Sequence, residues 1–297
     1  MSQLAQTDST AALRQDAEAL AASYPALLAE AERVAAVVSQ GVHGRRRPGQ
    51  GETFWQYRPY NVSDTIRQVD WRRSARGNNL YVRDNEWEAA NTVYFWRDGQ
   101  AGMDWTSDRG RNTKQTRASV LGMALAILLM QAGERCAVIG ESERARSGKI
   151  GLERVTRTLA MSDGNPEQLD AELPRHARII ILSDFLEGSD VWRARLARLA
   201  ARPAHGILVH LVDPAEREFP YRGRMRLSLP GQASLPPLLV GRAEKAKEAY
   251  QNKFAAHCDT LARTARRLNW PLITHQTDQN PNLALTSIYQ VLSGEAG

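Results

Sequence analysis

The sequence predicts an α/β protein built on a doubly wound, mostly parallel sheet, and three observations carry that prediction. From Thr92 onward, apolar stretches of five to eight residues alternate with longer helical patterns. The apolar stretches, TVYFWR and RIIILS among them, are apolar on both faces, as strands covered by helices on either side must be. A chain of 297 residues with 42% apolar side chains is also long enough to bury a substantial core.

The elements follow in order. From about Thr10 to Gln40, a stretch rich in Ala, Leu and Glu breaks at Pro25 and then carries Leu27, Leu28, Ala31, Val34, Ala35 and Val38 at helical spacing, giving a helix with one apolar stripe. The GVHGRRRPGQG stretch that follows is a boundary by composition. Ser63 or Asp64 is placed to cap a short helix running through Arg67, Asp70 and Trp71 to about Arg76, with Gly77 to stop it and a strand from Leu80 to Arg83.

Strands are then expected at Thr92 to Arg97, Cys136 to Gly140, Arg178 to Ser183, Gly206 to Asp213 and Pro271 to His275. Helices are expected at Lys114 to Gln131, Gly151 to Ala160, Val191 to Ala201, Arg242 to Leu268 and Asn282 to Leu292. The proline-rich stretch Glu216 to Val240 reads as an edge insertion. This divides the chain into an N-terminal helical region (1–44), an Arg/Trp-rich segment (45–87) and an α/β body (88–297).

Charge is concentrated in the middle part. Between Gly41 and Arg83 there are nine Arg, no Lys and three acids, and the rest of the chain balances, so the whole formal charge of +6 sits in this segment. Arg in preference to Lys implies directed contacts, because a planar guanidinium forks onto carboxylates and stacks on rings. Two cysteines without metal or disulfide spacing imply a reducing compartment. The longest apolar run, Val120 to Met130, is too short to span a bilayer, which needs about 20 residues, and the N-terminus lacks a basic leader. The expectation is a cytoplasmic protein without a membrane span.

Few motifs offer chemistry. There is no Gly-x-Ser-x-Gly elbow, no Walker loop and no dinucleotide glycine motif, and the six His are scattered. Doubly wound sheets work at the carboxyl ends of their strands, where strand order reverses. Asp98 and Asp184 each follow a strand there and are expected to be neighbours across that point. Such a pair can hold a hard cation such as Mg²⁺, or simply cap two strand-to-helix turns.

The run RPYNVSDTIRQVDWRRSARGNNLYVRD, followed by a strand and DGQAGMDW, resembles the bacterial family called domain of unknown function 58, whose body is a von Willebrand factor A-like domain. The family pattern R-x-Y/F-x-x-x-D-x-x-R-x-I/V-D-W-R-x-S-A-R is matched at Arg58, Tyr60, Asp64, Arg67, Asp70, Trp71, Arg72, Ser74 and Arg76, with Arg83 close behind. The resemblance implies an adaptor or assembly factor associated with MoxR-type AAA+ ATPases, without enzymatic activity. It also implies a metal-dependent adhesion site, Asp-x-Ser-x-Ser plus a Thr and a second Asp from later loops, of which no loop Thr is identifiable here. The matching stretch is Asp98-Gly99-Gln100-Ala101-Gly102, which keeps the Asp and loses both serines, while Asp184 matches the later acid. The site is thus expected to be degenerate, with no required cofactor and at most weak Mg²⁺ binding.

The arginine segment has two readings. It is either a brace and protein-docking surface, with Trp71 buried in it and Arg67, Asp70, Arg72 and Arg76 around it, or a stacking platform for single-stranded nucleic acid. The enzyme alternative is a metal-assisted phosphoester hydrolase at Asp98 and Asp184. Protein binding is the expectation.

Overall fold

A computed structural model of the chain describes residues 28–39, 54–60, 69–75, 80–85, 92–141, 144–228, 230 and 236–293, the side chains of 54–58, 83–85 and 293 excepted. Its contacts separate residues 41–91 from the remainder as a second compact unit.

The larger unit carries the predicted sheet. Strands β3 (Thr92–Arg97), β4 (Arg135–Val138), β5 (Arg178–Ser183), β6 (His205–Val212) and β9 (Leu272–Gln276) form five parallel strands in the order β4-β3-β5-β6-β9. The order reverses between β3 and β5, which pair in register from Val93 with Arg178 to Arg97 with Leu182. Helix α3 (Lys114–Gln131) packs with α4 (Gly148–Met161) and α8 (Pro281–Ser293), while α5 (Ser189–Ala200) packs with α7 (Ala243–Arg267). Helix α1, residues 28–39, lies beside the start of α3, where Glu30 meets Asn112 and Arg117.

Burial explains why β5 reads RIIILS: Ile179 to Ser183 are all buried, so period-2 alternation is lost. The core over one face gathers Trp96, Ile181, Phe185, Trp192, Leu208 and Trp270, with Trp192 edge-on to both Trp96 and Phe185. Trp270 fits because β6 carries Gly206, where a Cβ would lie 2.1 Å from the indole.

The stretch expected as an edge insertion lies between β6 and α7 and stays outside the central sheet. Residues 214–218 open it with a short helix, α6 (Pro214–Glu218), and β7 (Met225–Leu227) pairs with β8 (Leu238–Val240) as a separate antiparallel sheet. Asp213 stops β6 because its side chain starts the new helix in a capping box with Glu216.

In the smaller unit, β1 (Phe54–Pro59), which the sequence reading missed, pairs antiparallel with β2 (Tyr81–Asn85). Between them lies a single helical turn, α2 (Trp71–Ser74). The expected helix through Arg67 and Asp70 is corrected as well: Val69 makes a β-bridge to Val82, and Asp70 is extended at φ −80°, ψ 94°. The cap is therefore Asp70, whose carboxylate accepts from Arg73 N at 2.9 Å. The proposed caps Ser63 and Asp64, with Arg67, Arg76 and Gly77, lie outside the described residues.

Candidate functional site

The strand order places Asp98 and Asp184 at the carboxyl ends of neighbouring strands, as the sequence reading anticipated. Both are buried, at 3% and 6% exposure. Asp98 Oδ1 accepts from Gln100 N at 2.9 Å, and Oδ2 accepts from the Ser183 hydroxyl at 2.6 Å. The hydroxyl that faces Asp98 thus comes from the neighbouring strand. Burial pushes the Asp98 carboxyl up to about 6, against the opposing pull of those two hydrogen bonds, with Asp184 adding to the rise and Arg97 opposing it.

The loop after Asp98 is held from below. Arg97, 1% exposed, donates to the carbonyls of Leu159 (2.9 Å) and Ser162 at the end of α4, so its guanidinium serves carbonyls that the helix itself leaves open. Gly99 then passes so close to the following turn that a Cβ would stand 2.0 Å from Asp163 O. Phe185, directly after Asp184, sits in the left-handed region at φ 55° and is fully buried, with its N–H bonded to Ser183 Oγ at 2.9 Å. A non-glycine residue stays there only when its surroundings fix it.

The residue that sequence reasoning missed is Lys114. It opens α3, where a cation opposes the helix dipole, and it is 1% exposed. Its ammonium donates to Asp184 Oδ2 at 2.7 Å and to Glu216 Oε1, and the ring of Trp105 lies 5.9 Å from the nitrogen. Burial pulls the Lys114 pKa down, but the two carboxylates more than offset that, and it ends above its usual value. Glu216 is raised by burial against the opposing pull of Lys114 and of the Asp213 N–H, with Asp184 adding to the rise. A lysine in the first turn of a helix, with no acid beside it, was the available signal. Glu216 was legible only as the fourth residue of the DPAE capping box.

Asp213 is a third buried strand-end acid, accepting from Ala215 N and Ser107 N at 2.9 and 3.0 Å. Asp184 Oδ1 accepts from Leu186 N at 3.1 Å, and Glu216 Oε2 from Asp213 N at 2.9 Å. Every oxygen of Asp98, Asp184, Asp213 and Glu216 therefore accepts at least one hydrogen bond from the chain itself. A divalent ion at Asp184 Oδ2 meets the Lys114 ammonium, and the residues as they stand do not fit a metal. Among the described residues, no group of three or more His, Cys, Asp or Glu is arranged to hold one.

One other polar pair stands near: Ser189 Oγ lies 3.2 Å from His257 Nδ1. Both line a cavity of about 10 Å³, room for about one water and no substrate.

The described signature residues gather around α2. Tyr60 N donates to Leu80 O at 2.9 Å, Asp70 caps the turn, and Ser74, 6% exposed, accepts from Tyr81 N at 2.9 Å. Arg58 and Arg83 lie on β1 and β2, paired through their backbones with Val82 and Tyr57. The burial expected of Trp71 is corrected: it is 59% exposed, and Arg72 and Arg73 beside it are exposed too. The reason is geometric, since a single turn has one inward face and Ser74 takes it, hydrogen-bonded to β2.

No helix among the described residues is long and apolar enough to cross a membrane. Uncharacterized proteins of Mycobacterium tuberculosis and Mycobacterium bovis are each 26% identical to this chain, covering 82% of it and 80% of their own length. Among solved structures, a conserved hypothetical protein, BatB, from Bacteroides thetaiotaomicron aligns over 70% of this chain and 99% of its own, at 14% identity and a TM-score of 0.37. The PilB minor pilin from Streptococcus sanguinis aligns over 73% of this chain and 64% of its own, at 11% identity and a TM-score of 0.33. The profile of the family described as "Protein of unknown function DUF58" matches residues 56–260, more than half of the sequence, and the chain belongs to that family.

Proposed function

We propose that the chain is a non-enzymatic adaptor or assembly factor that binds protein, that its partner is a MoxR-type AAA+ ATPase, and that the α2 turn is its docking point. The observation that carries this reading is the exposure of Trp71, 59%, between Asp70 and the exposed Arg72 and Arg73. A large indole left open to water gains by being covered, and Trp and Arg are the side chains that dominate protein interfaces. The segment's excess of arginine favours an acidic partner surface, with association slowing as salt rises.

The resemblance to the family's signature supplies the ATPase, and the residues supply the reason a protein suits the surface. The strand-end acids support the non-enzymatic part, because their oxygens are engaged by the chain's own donors rather than aimed at a substrate. Affinity purification from the native host, with ATP or a non-hydrolysable analogue present, tests the proposal. Recovery of an AAA+ subunit supports it. Recovery of nucleic acid without that subunit, lost steeply with salt, overturns it in favour of the stacking platform.

A further inference from the structure

We infer that the ammonium of Lys114 is the resident cation of the strand-end site, taking the place that a divalent ion holds in adhesion-type A domains. The inference rests on three observations. First, the ammonium sits where the two switch-point strands end, 2.7 Å from the oxygen of the acid that matches the second metal ligand, Asp184. Second, position 102, where the adhesion motif has its last serine, faces that same atom: a Cβ built on Gly102 would lie 3.6 Å from Asp184 Oδ2. Glycine there brings no hydroxyl to that acid, and Asp184 Oδ2 takes its hydrogen bond from the ammonium.

Third, the ammonium is closed off. Lys114 is 1% exposed, two of its three hydrogens are taken by Asp184 and Glu216, and the Trp105 ring lies 5.9 Å from the nitrogen. A bound metal keeps coordination positions open to water or an incoming carboxylate. A buried ammonium tethered to two carboxylates offers no such position, so this face is a fixed brace between β5, α3 and α6, and recognition of a partner through a bridging cation does not occur here.

Titration of the full chain with Mn²⁺, read by calorimetry and melting, tests the inference. The wild type is expected to show no saturable heat and an unchanged Tm. Lys114→Ala, which frees Asp184 Oδ2 and Glu216 Oε1 as ligands, is expected to melt lower and to gain a Mn²⁺ site, with Tm rising by about 5 °C or more at Mn²⁺ about 100-fold above its Kd. If Lys114→Ala does not fold alone, it is prepared in Mn²⁺ together with Lys114→Ala/Glu216→Gln, which leaves a single uncompensated acid. Saturable Mn²⁺ binding to the wild type that disappears in Asp184→Asn overturns the inference. So does indifference of both variants to Mn²⁺, or their failure to fold in its presence, because a bound metal must be able to replace the lost charge.

Discussion

Lys114 Nζ lies 2.7 Å from Asp184 Oδ2, and the two side chains, 1% and 8% exposed, join the start of α3 to the end of β5. With Glu216 on the same nitrogen, one ammonium ties three elements of the larger unit together. Removing one partner of a buried ion pair leaves an uncompensated charge and typically costs about 3–5 kcal/mol. Lys114→Met is therefore expected to lower the unfolding free energy by about that amount in denaturant melts. Adding Asp184→Asn and Glu216→Gln is expected to restore most of it, since the burden is the stranded charge.

The site also shapes stability against pH. Asp98, raised to about 6 by burial, keeps a proton at pH values where its unfolded counterpart has lost it. Its contribution is full below about pH 4 and is lost as the pH rises through 6. His210 and His275, each pulled down to about 4 chiefly by burial, act in the opposite sense, contributing above about pH 6.5 and losing that contribution as the pH falls through 4. Asp98→Asn is expected to add about 1–2 kcal/mol at pH 7 and nothing at pH 4, steepening the loss of stability on acidification. The amide keeps an acceptor for Gln100 N–H, and the Ser183 hydroxyl can turn to accept from the amide. Urea melts at pH 4, 5, 6 and 7 in both proteins check this.

Gly99→Ala probes the loop that aims Asp98. Its Cβ would stand 2.0 Å from Asp163 O and 2.9 Å from Gly164 N, both backbone atoms, so the turn itself must move. A loss of about 3 kcal/mol is expected, at the upper end for an overpacked methyl. Gly133→Ala is a useful contrast, because a Cβ there meets nothing within 4 Å and only its φ of 87° opposes the change.

How much of this was legible depends on how local the cause was. Helix α3 and strand β5 run over the residues expected, Lys114–Gln131 and Arg178–Ser183, because an uninterrupted apolar pattern between clear caps fixes both. The adjacency of Asp98 and Asp184 followed from the strand order that parallel βα units adopt. What escaped was non-local. The partners of Lys114 lie 70 and 102 positions away, and no periodicity reports such a contact. Strand β1 was hidden because its partner is β2, beyond α2, in a stretch whose arginine and aromatic density masked any alternation. Trp71 was misjudged for a related reason: an aromatic inside a signature looks like core, but a one-turn helix buries only the side chain facing β2, and here that is Ser74.

That correction also sets the most direct trial of the account, which assigns Trp71 to docking and not to stability. The measurement is a paired one on Trp71→Ala: the thermal melt of the purified chain, and capture of the AAA+ subunit from the native host under ATP. The account predicts a stability within about 0.5 kcal/mol of wild type, as for surface substitutions generally, together with loss of capture. A fall of several kcal/mol, or capture at the wild-type level, would contradict it.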